Sequence, residues 1–202
     1  MTESLHTLAR LAAAALDRTS AVNDDTRSEL LNLKAALRSA VVRDSFIAPP
    51  TRDYAAILES ALAAAPGRAL AALAQALRLV RHQLPWTYHY APRPGEEDLA
   101  NRIAFAELIG PDGPMNHASA RVGLTLVAPT TLYPAHAHPA VELYWIISGH
   151  ARWTSTGADK IVPPGELVLH RSHEPHAMQT LEAPLLALWS WSGDIDTPAF
   201  YI

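Results

Sequence analysis

Two hydrophobic periods divide this chain. From residue 1 to about 85, apolar side chains return every three or four positions, the spacing of one helix face. Leu5, Leu8, Ala12, Ala15 and Leu16 form one stripe. Leu30, Leu33, Leu37 and Val41 form a second, after Asn23, Asp24, Asp25 and Thr26, which supply candidate N-caps. Tyr54, Ile57, Leu58, Ala61 and Leu62 make a third, stopped by Pro66-Gly67, and Leu70, Leu73, Leu77, Val80 and Leu84 a fourth, stopped by Pro85. Alanine, the strongest helix former, fills the gaps and lets helices approach closely. The breaks at Pro49-Pro50 and Pro66-Gly67 are short, so neighbouring helices are expected to pack antiparallel. Nothing in this half has catalytic spacing. It reads as a helical cap or a dimerisation surface, which leaves a homodimer open.

From residue 86 the period shortens. Trp86, Tyr88 and Tyr90 alternate with polar residues and read as an edge strand over the helices rather than as pocket wall. Short apolar runs follow at 103–109, 122–127, 141–147, 151–154, 167–170 and 184–191, punctuated by Pro, Gly, Asn and Asp. Closely spaced short strands of this kind predict an all-β sandwich or barrel, and no run is followed by a crossover helix that would make a parallel βαβ sheet. The fold class is therefore α+β: a helical N-terminal bundle, residues 1–85, packed on a C-terminal all-β barrel, residues 86–202.

Composition narrows the function classes. With 49% hydrophobic and 18% charged residues in 202, the chain can bury a core and is not disordered. No apolar stretch approaches the roughly 18 residues of a membrane span. The longest, residues 8–16, is interrupted by Arg10 and follows no cationic segment, so the chain reads as cytoplasmic rather than exported. A net charge of −4 offers no basic face for nucleic acid. The absence of cysteine excludes disulfides and thiolate metal sites.

Histidine is where the composition turns informative: seven of ten (117, 136, 138, 150, 170, 173 and 176) fall within 60 consecutive residues. His136 and His138 are two apart, so in extended chain they share a side, as do Glu142 and Tyr144 at the start of an apolar strand. His176, behind Pro175, supplies a fourth donor from far along the chain. Three imidazoles and a carboxylate suit one divalent first-row transition-metal ion, and the same donors accept Zn, Fe, Mn, Co or Ni. By contrast His150, His170 and His173 read as surface or loop histidines, Arg121 as a surface arginine, and Met178 as packing beside His176.

The spacing HxH, three residues, Glu, six residues, Gly, complete from His136 through Glu142 to Gly149, resembles the first motif of the cupins. The second cupin motif, Pro-x-Gly-x-x-His, is kept only at His176 and in the proline before it, and the glycine common six residues before the first histidine is Thr130 here. A narrower resemblance takes in the helical N-terminal part, Tyr133-Pro134, Glu142-Leu143-Tyr144, Pro175-His176-Ala177-Met178 and Leu188-Trp189-Ser190-Trp191. It is to the cupin-type dimethylsulfoniopropionate (DMSP) lyases with a helical N-terminal region. That resemblance implies a double-stranded β-helix barrel and cleavage of a small zwitterion, DMSP, to dimethyl sulfide and acrylate, with Zn or Fe first among the ions bound. It places the metal ligands at His136, His138, Glu142 and His176, the base at Tyr144, a second pocket phenol at Tyr133, and a substrate-contacting aromatic at Trp191.

The chemistry is consistent with such a carbon–sulfur lyase. A carboxylate stabilises an adjacent carbanion poorly, so a cation on its oxygens and a nearby base are needed for β-elimination. A tyrosine is normally protonated at neutral pH, and a neighbouring dication favours its phenolate. Trp189 and Trp191, on one face of the last long strand, offer cation–π surface to a sulfonium. The same donors would also serve another metal-dependent cupin, a dioxygenase or isomerase, or a non-catalytic small-molecule binder.

Overall fold

The computed structural model describes residues 2–49, 51–91 and 93–202; Pro50, half of the first expected break, lies outside them. The helices are α1 (Thr2–Leu16), α2 (Asp24–Ser39), α3 (Ala55–Ala63), α4 (Gly67–Val80) and the short α5 (Leu99–Arg102). The strands are β1 (Val41–Val42), β2 (Ile103–Ile109), β3 (Met115–Asn116), β4 (Arg121–Val127), β5 (Leu132–Ala137), β6 (Val141–Ser148), β7 (Ala151–Ser155), β8 (Ala158–Val162), β9 (Leu167–His170), β10 (His176–Thr180), β11 (Leu185–Ser192) and β12 (Phe200–Tyr201). No helix among the described residues is long and apolar enough to cross a membrane.

α2 begins where its capping residues place it. The Asn23 side chain accepts the Thr26 N–H at 2.8 Å, and Asp24 and Asp25 put negative charge at the positive end of the helix dipole. Its end departs from the periodic reading. Ala40 is already extended (φ −60°, ψ 140°), so Val41 leaves the apolar stripe and pairs instead with Asn116, 67% exposed. α1 packs on α2 and α4, and α3 on α4.

The strands form two sheets, ordered β1-β3-β2-β4-β11-β6-β9 and β12-β5-β10-β7-β8. The larger sheet is buried on both faces, which is why its strands read as unbroken apolar runs. One face carries Ala104, Ala106, Leu124, Leu126, Leu143, Trp145, Leu186 and Leu188 into a common core with the helices. The other carries Phe105, Tyr144, Ile146, Val168, Ala187 and Trp189 against Tyr133, Trp153 and Met178 of the smaller sheet, closing the barrel. Helices and strands thus share one core, and the barrel interior is a second. The 86–90 segment forms no strand; one bridge, Thr87 to Phe105, ties it to β2. Trp86 does lie with the helices, buried, its indole N–H donating to the Arg81 carbonyl at 3.1 Å.

Glycine is required where the resemblance marks it. Gly149 has φ +77°, and a Cβ there would overlap the Pro184 carbonyl. The two motif glycines this chain lacks have kept their backbone geometry: Thr130 (φ 50°) and His173 (φ 59°) are the non-glycine residues with positive φ among those described.

Candidate metal centre and its pocket

Strand register assembles the site. β5 and β10 run antiparallel with His136 opposite His176. β6 lies between β11 and β9, so Glu142 has Trp191 on one side and His170 on the other, and Tyr144 has Trp189 and Val168. His138 follows in the turn between β5 and β6. All four expected ligands are buried, at 1–3% exposure.

Three backbone carbonyls fix the imidazoles. Nδ1–H of His136 donates to Pro134 O (2.9 Å), that of His138 to Ala140 O (3.0 Å) and that of His176 to Glu174 O (2.8 Å), each two residues away. A carbonyl only accepts, so each Nδ1 carries a proton, and in the neutral ring that leaves the lone pair on Nε2, the form in which histidine ligates a metal. The lone pairs of His138 and His176 then point at Glu142 Oε2, at 3.0 and 3.2 Å. Three acceptors facing one another in a buried space require a cation among them, a proton or a metal ion. Two donors about 2.1 Å from a shared ion would show such separations at angles of roughly 90–100°, so the residues fit a transition metal.

His138, Glu142 and His176 have ligand atoms within 4.8 Å of one another. His136 stands just outside that trio, its ring 4.1 Å from the His176 ring and stacked 4.0 Å from Tyr133. Burial opposes the Glu142 charge, yet with a proton in the place of the ion the charge and hydrogen bonds of His138 and His176 outweigh it and hold the carboxyl well below the usual carboxylate range. His136 is pushed down to about 3 by burial and by His176, so it stays neutral.

Above these groups opens a cavity of about 640 Å³, lined by Tyr90, Phe105, Tyr133, Tyr144, Trp189 and Trp191, with Arg121, Glu107 and Asp112 also on its wall. Phe46 and Pro49, from the segment between β1 and α3, join the lining, so the first half of the chain does contribute to the site. Gly123 lies opposite Trp189 in register, and the indole occupies the space a Cβ would need. Tyr133 and Tyr144 are both pushed well above the ordinary phenol range, first by burial and then by neighbouring phenols and the Glu142 charge. Arg121 is tethered by Glu107 and by Asp112 (3.3 Å). Trp191 N–H donates to Glu142 Oε1 at 2.9 Å.

Three expectations need correction. Arg121 is not a surface arginine: its side chain is 17% exposed and lies on the cavity wall, paired with Glu107. Tyr90 is pocket wall, not edge strand: its hydroxyl bonds that of Tyr133 at 2.6 Å, and its ring stacks 4.1 Å from Tyr201 of β12. His170 is no surface histidine. It is fully buried at the end of β9 and lies flat on the His176 ring at 3.8 Å and 7°, with both ring nitrogens unpartnered. Strand alternation gives the signal, because Val168 and His170 share the inward side while Leu167 and Leu169 face the helices. No comparable local pattern marks Tyr90. His150 and His173 are exposed, and Met178 is packed inward.

Comparison with known proteins bears on the same region. The dimethylsulfoniopropionate lyase family model matches residues 27–187. The dimethylsulfoniopropionate lyase DddQ of Ruegeria pomeroyi is 37% identical over 101 residues, 50% of this chain and 50% of that protein. DddL of Cereibacter sphaeroides is 32% identical over 146 residues, 72% of this chain and 61% of that one. The matches therefore span about half to three fifths of these curated relatives. The crystal structure of the R. pomeroyi DMSP lyase DddQ superimposes with a TM-score of 0.68 at 30% identity, covering 87% of this chain and 93% of that one. A chain from the crystal structures of the DMSP lyases RdDddP and RnDddQII gives a TM-score of 0.77 over 99% of this chain and 98% of its own, and at 23% identity it speaks for the fold alone.

Proposed function

The chain belongs to the dimethylsulfoniopropionate lyase family, and from that premise we propose that it cleaves DMSP by base-catalysed β-elimination, releasing dimethyl sulfide, acrylate and a proton. The observation that supports this most directly is the buried convergence of His138 Nε2, His176 Nε2 and Glu142 Oε2, with two phenols above them. His136, His138, Glu142 and His176 are the residues that would hold a divalent ion, and their nitrogen and oxygen donors suit Zn, Fe, Mn, Co or Ni. When bound, such an ion supplies the positive charge that neutralises the substrate carboxylate and lowers the cost of ionising a buried phenol.

The protein's own groups then divide the work. Tyr144, two residues after Glu142 on the same strand face, is the base for the proton next to the carboxylate. Tyr133, hydrogen-bonded to Tyr90, orients the substrate from the opposite sheet. Trp189 and Trp191 present ring surface to the sulfonium, whose attraction to an aromatic face is roughly 0.5–2 kcal/mol. The aromatic lining excludes bulk water from the developing carbanion.

Gas chromatography of dimethyl sulfide from purified protein and DMSP, with and without chelator, tests the reading. Chelator-sensitive release without oxygen consumption is expected, because elimination involves no net redox change. No dimethyl sulfide from metal-replete protein would refute it.

A further inference from the structure

The Glu142 carboxylate is divided between two kinds of partner. Oε2 faces the free nitrogens of His138 and His176 at 3.0 and 3.2 Å. Oε1 accepts the indole N–H of Trp191 at 2.9 Å across the β6–β11 pairing, where the two residues stand directly opposite. The indole has little freedom. Its ring lies 4.6 Å from the His138 ring, and the Arg121 guanidinium sits 5.8 Å from it. Arg121 is in turn held by Glu107 and Asp112.

From this geometry we infer that Trp191 is a positioning residue for the metal centre: by occupying Oε1, its N–H makes Glu142 a one-oxygen ligand and keeps a coordination position open for substrate. The inference rests on the metal reading proposed above and deepens it. A carboxylate free to turn can offer both oxygens and fill two positions on an ion, whereas catalytic sites keep one open. Groups that hydrogen-bond a ligand fix its orientation, and losing one costs about 10–100-fold in metal affinity. Because the N–H is committed to Glu142, what Trp191 has left for a substrate is ring face. Its two roles are therefore separable by chemistry.

The test uses the full-length protein stripped of metal and reloaded with Co²⁺. Trp191→Phe keeps an aromatic ring and removes the N–H. The expected result is about 10–100-fold weaker Co²⁺ binding in chelator competition, with altered d–d absorption as the freed oxygen changes the coordination. Trp191→Leu should match Trp191→Phe in both readouts and raise KM further, since it also removes the ring. Far-UV circular dichroism confirms that each variant is folded; Trp191 is only partly buried, so both should be. If Trp191→Phe binds Co²⁺ with the affinity and spectrum of the wild type and only its KM changes, the positioning role is overturned and Trp191 is a substrate wall alone. If the wild type itself takes up no Co²⁺, the metal reading falls and this inference with it.

Discussion

Along β6, neighbouring side chains serve different ends. Leu143, Trp145 and Ile147 turn towards the helices, while Glu142, Tyr144 and Ile146 turn into the barrel. The first face joins a core of leucine and alanine from α1 to α4 whose charged groups stay at the rim, as in Asp17 with Lys34 and Arg38, or Glu59 with Arg78. The second buries Glu142 and four histidines, 136, 138, 170 and 176, within one short span. Each buried polar group left without a partner costs about 1–3 kcal/mol, and His170 has two such nitrogens. One sheet thus carries stabilising burial on its outer face and expensive chemistry on its inner face. The helical half makes that arrangement tolerable by covering apolar surface that would otherwise meet water.

This division predicts that lesions on the two faces separate. The largest effect should come from inside. His176→Ala removes one of the two nitrogens at Glu142 Oε2 and should drop metal content from one ion per chain to background. Dimethyl sulfide release should fall with it, while far-UV circular dichroism keeps its helical signal; elemental analysis of the purified variant decides the point. A variant retaining its ion would show that His136 and His138 suffice with Glu142. On the outer face, Leu77→Ala should cost about 2–5 kcal/mol by leaving a cavity at a fully packed position. Urea denaturation would measure it, with metal affinity of the folded fraction unchanged. A parallel loss of affinity would mean that the faces are coupled through the strand.

The same two-faced burial governs what could be read from the chain. Strands covered on both sides, such as β2, β6 and β11, stand out as apolar runs, and α1 to α4 each show a stripe, whereas the four-residue α5 has none. β5 and β10, which bring His136 and His176 opposite each other, do not stand out as strands because proline, histidine and glutamine dilute their alternation. The ligand spacing was legible all the same, since two-residue separation places side chains together in any extended segment. What no local pattern carries is pairing across the chain. Tyr90 meets Tyr133 only because the Thr87–Phe105 bridge lays its segment over the barrel mouth, and Trp191 meets Glu142 only through β6–β11 register. His170 reads as a loop histidine because Arg171 to Glu174, which follow it, have the character of an exposed turn.

Tyr90 offers an intermediate test, since it lines the pocket from a segment outside both sheets. Tyr90→Phe leaves the buried Tyr133 hydroxyl without its 2.6 Å partner and should cost about 1–3 kcal/mol, read as a lowered denaturation midpoint. The same change should reduce DMSP turnover through a less fixed Tyr133, with metal content intact. If turnover and stability both match the wild type, the phenol pair contributes to neither face.

The smallest effect belongs to the helical half, at the start of α2. Asn23→Ala removes the side-chain acceptor of the Thr26 N–H and should destabilise the protein by about 1 kcal/mol, the usual value of an N-cap. Asn23→Asp should restore most of it, because a carboxylate accepts the same N–H and also opposes the positive helix end. Neither change should alter metal affinity or dimethyl sulfide release per folded molecule. The pair of variants is therefore the strictest check on the separation of faces. An Asn23→Ala protein whose Co²⁺ affinity fell would place the helical half inside the site's energetics, through Arg171, which pairs with Asp25 at 2.6 Å one residue after His170.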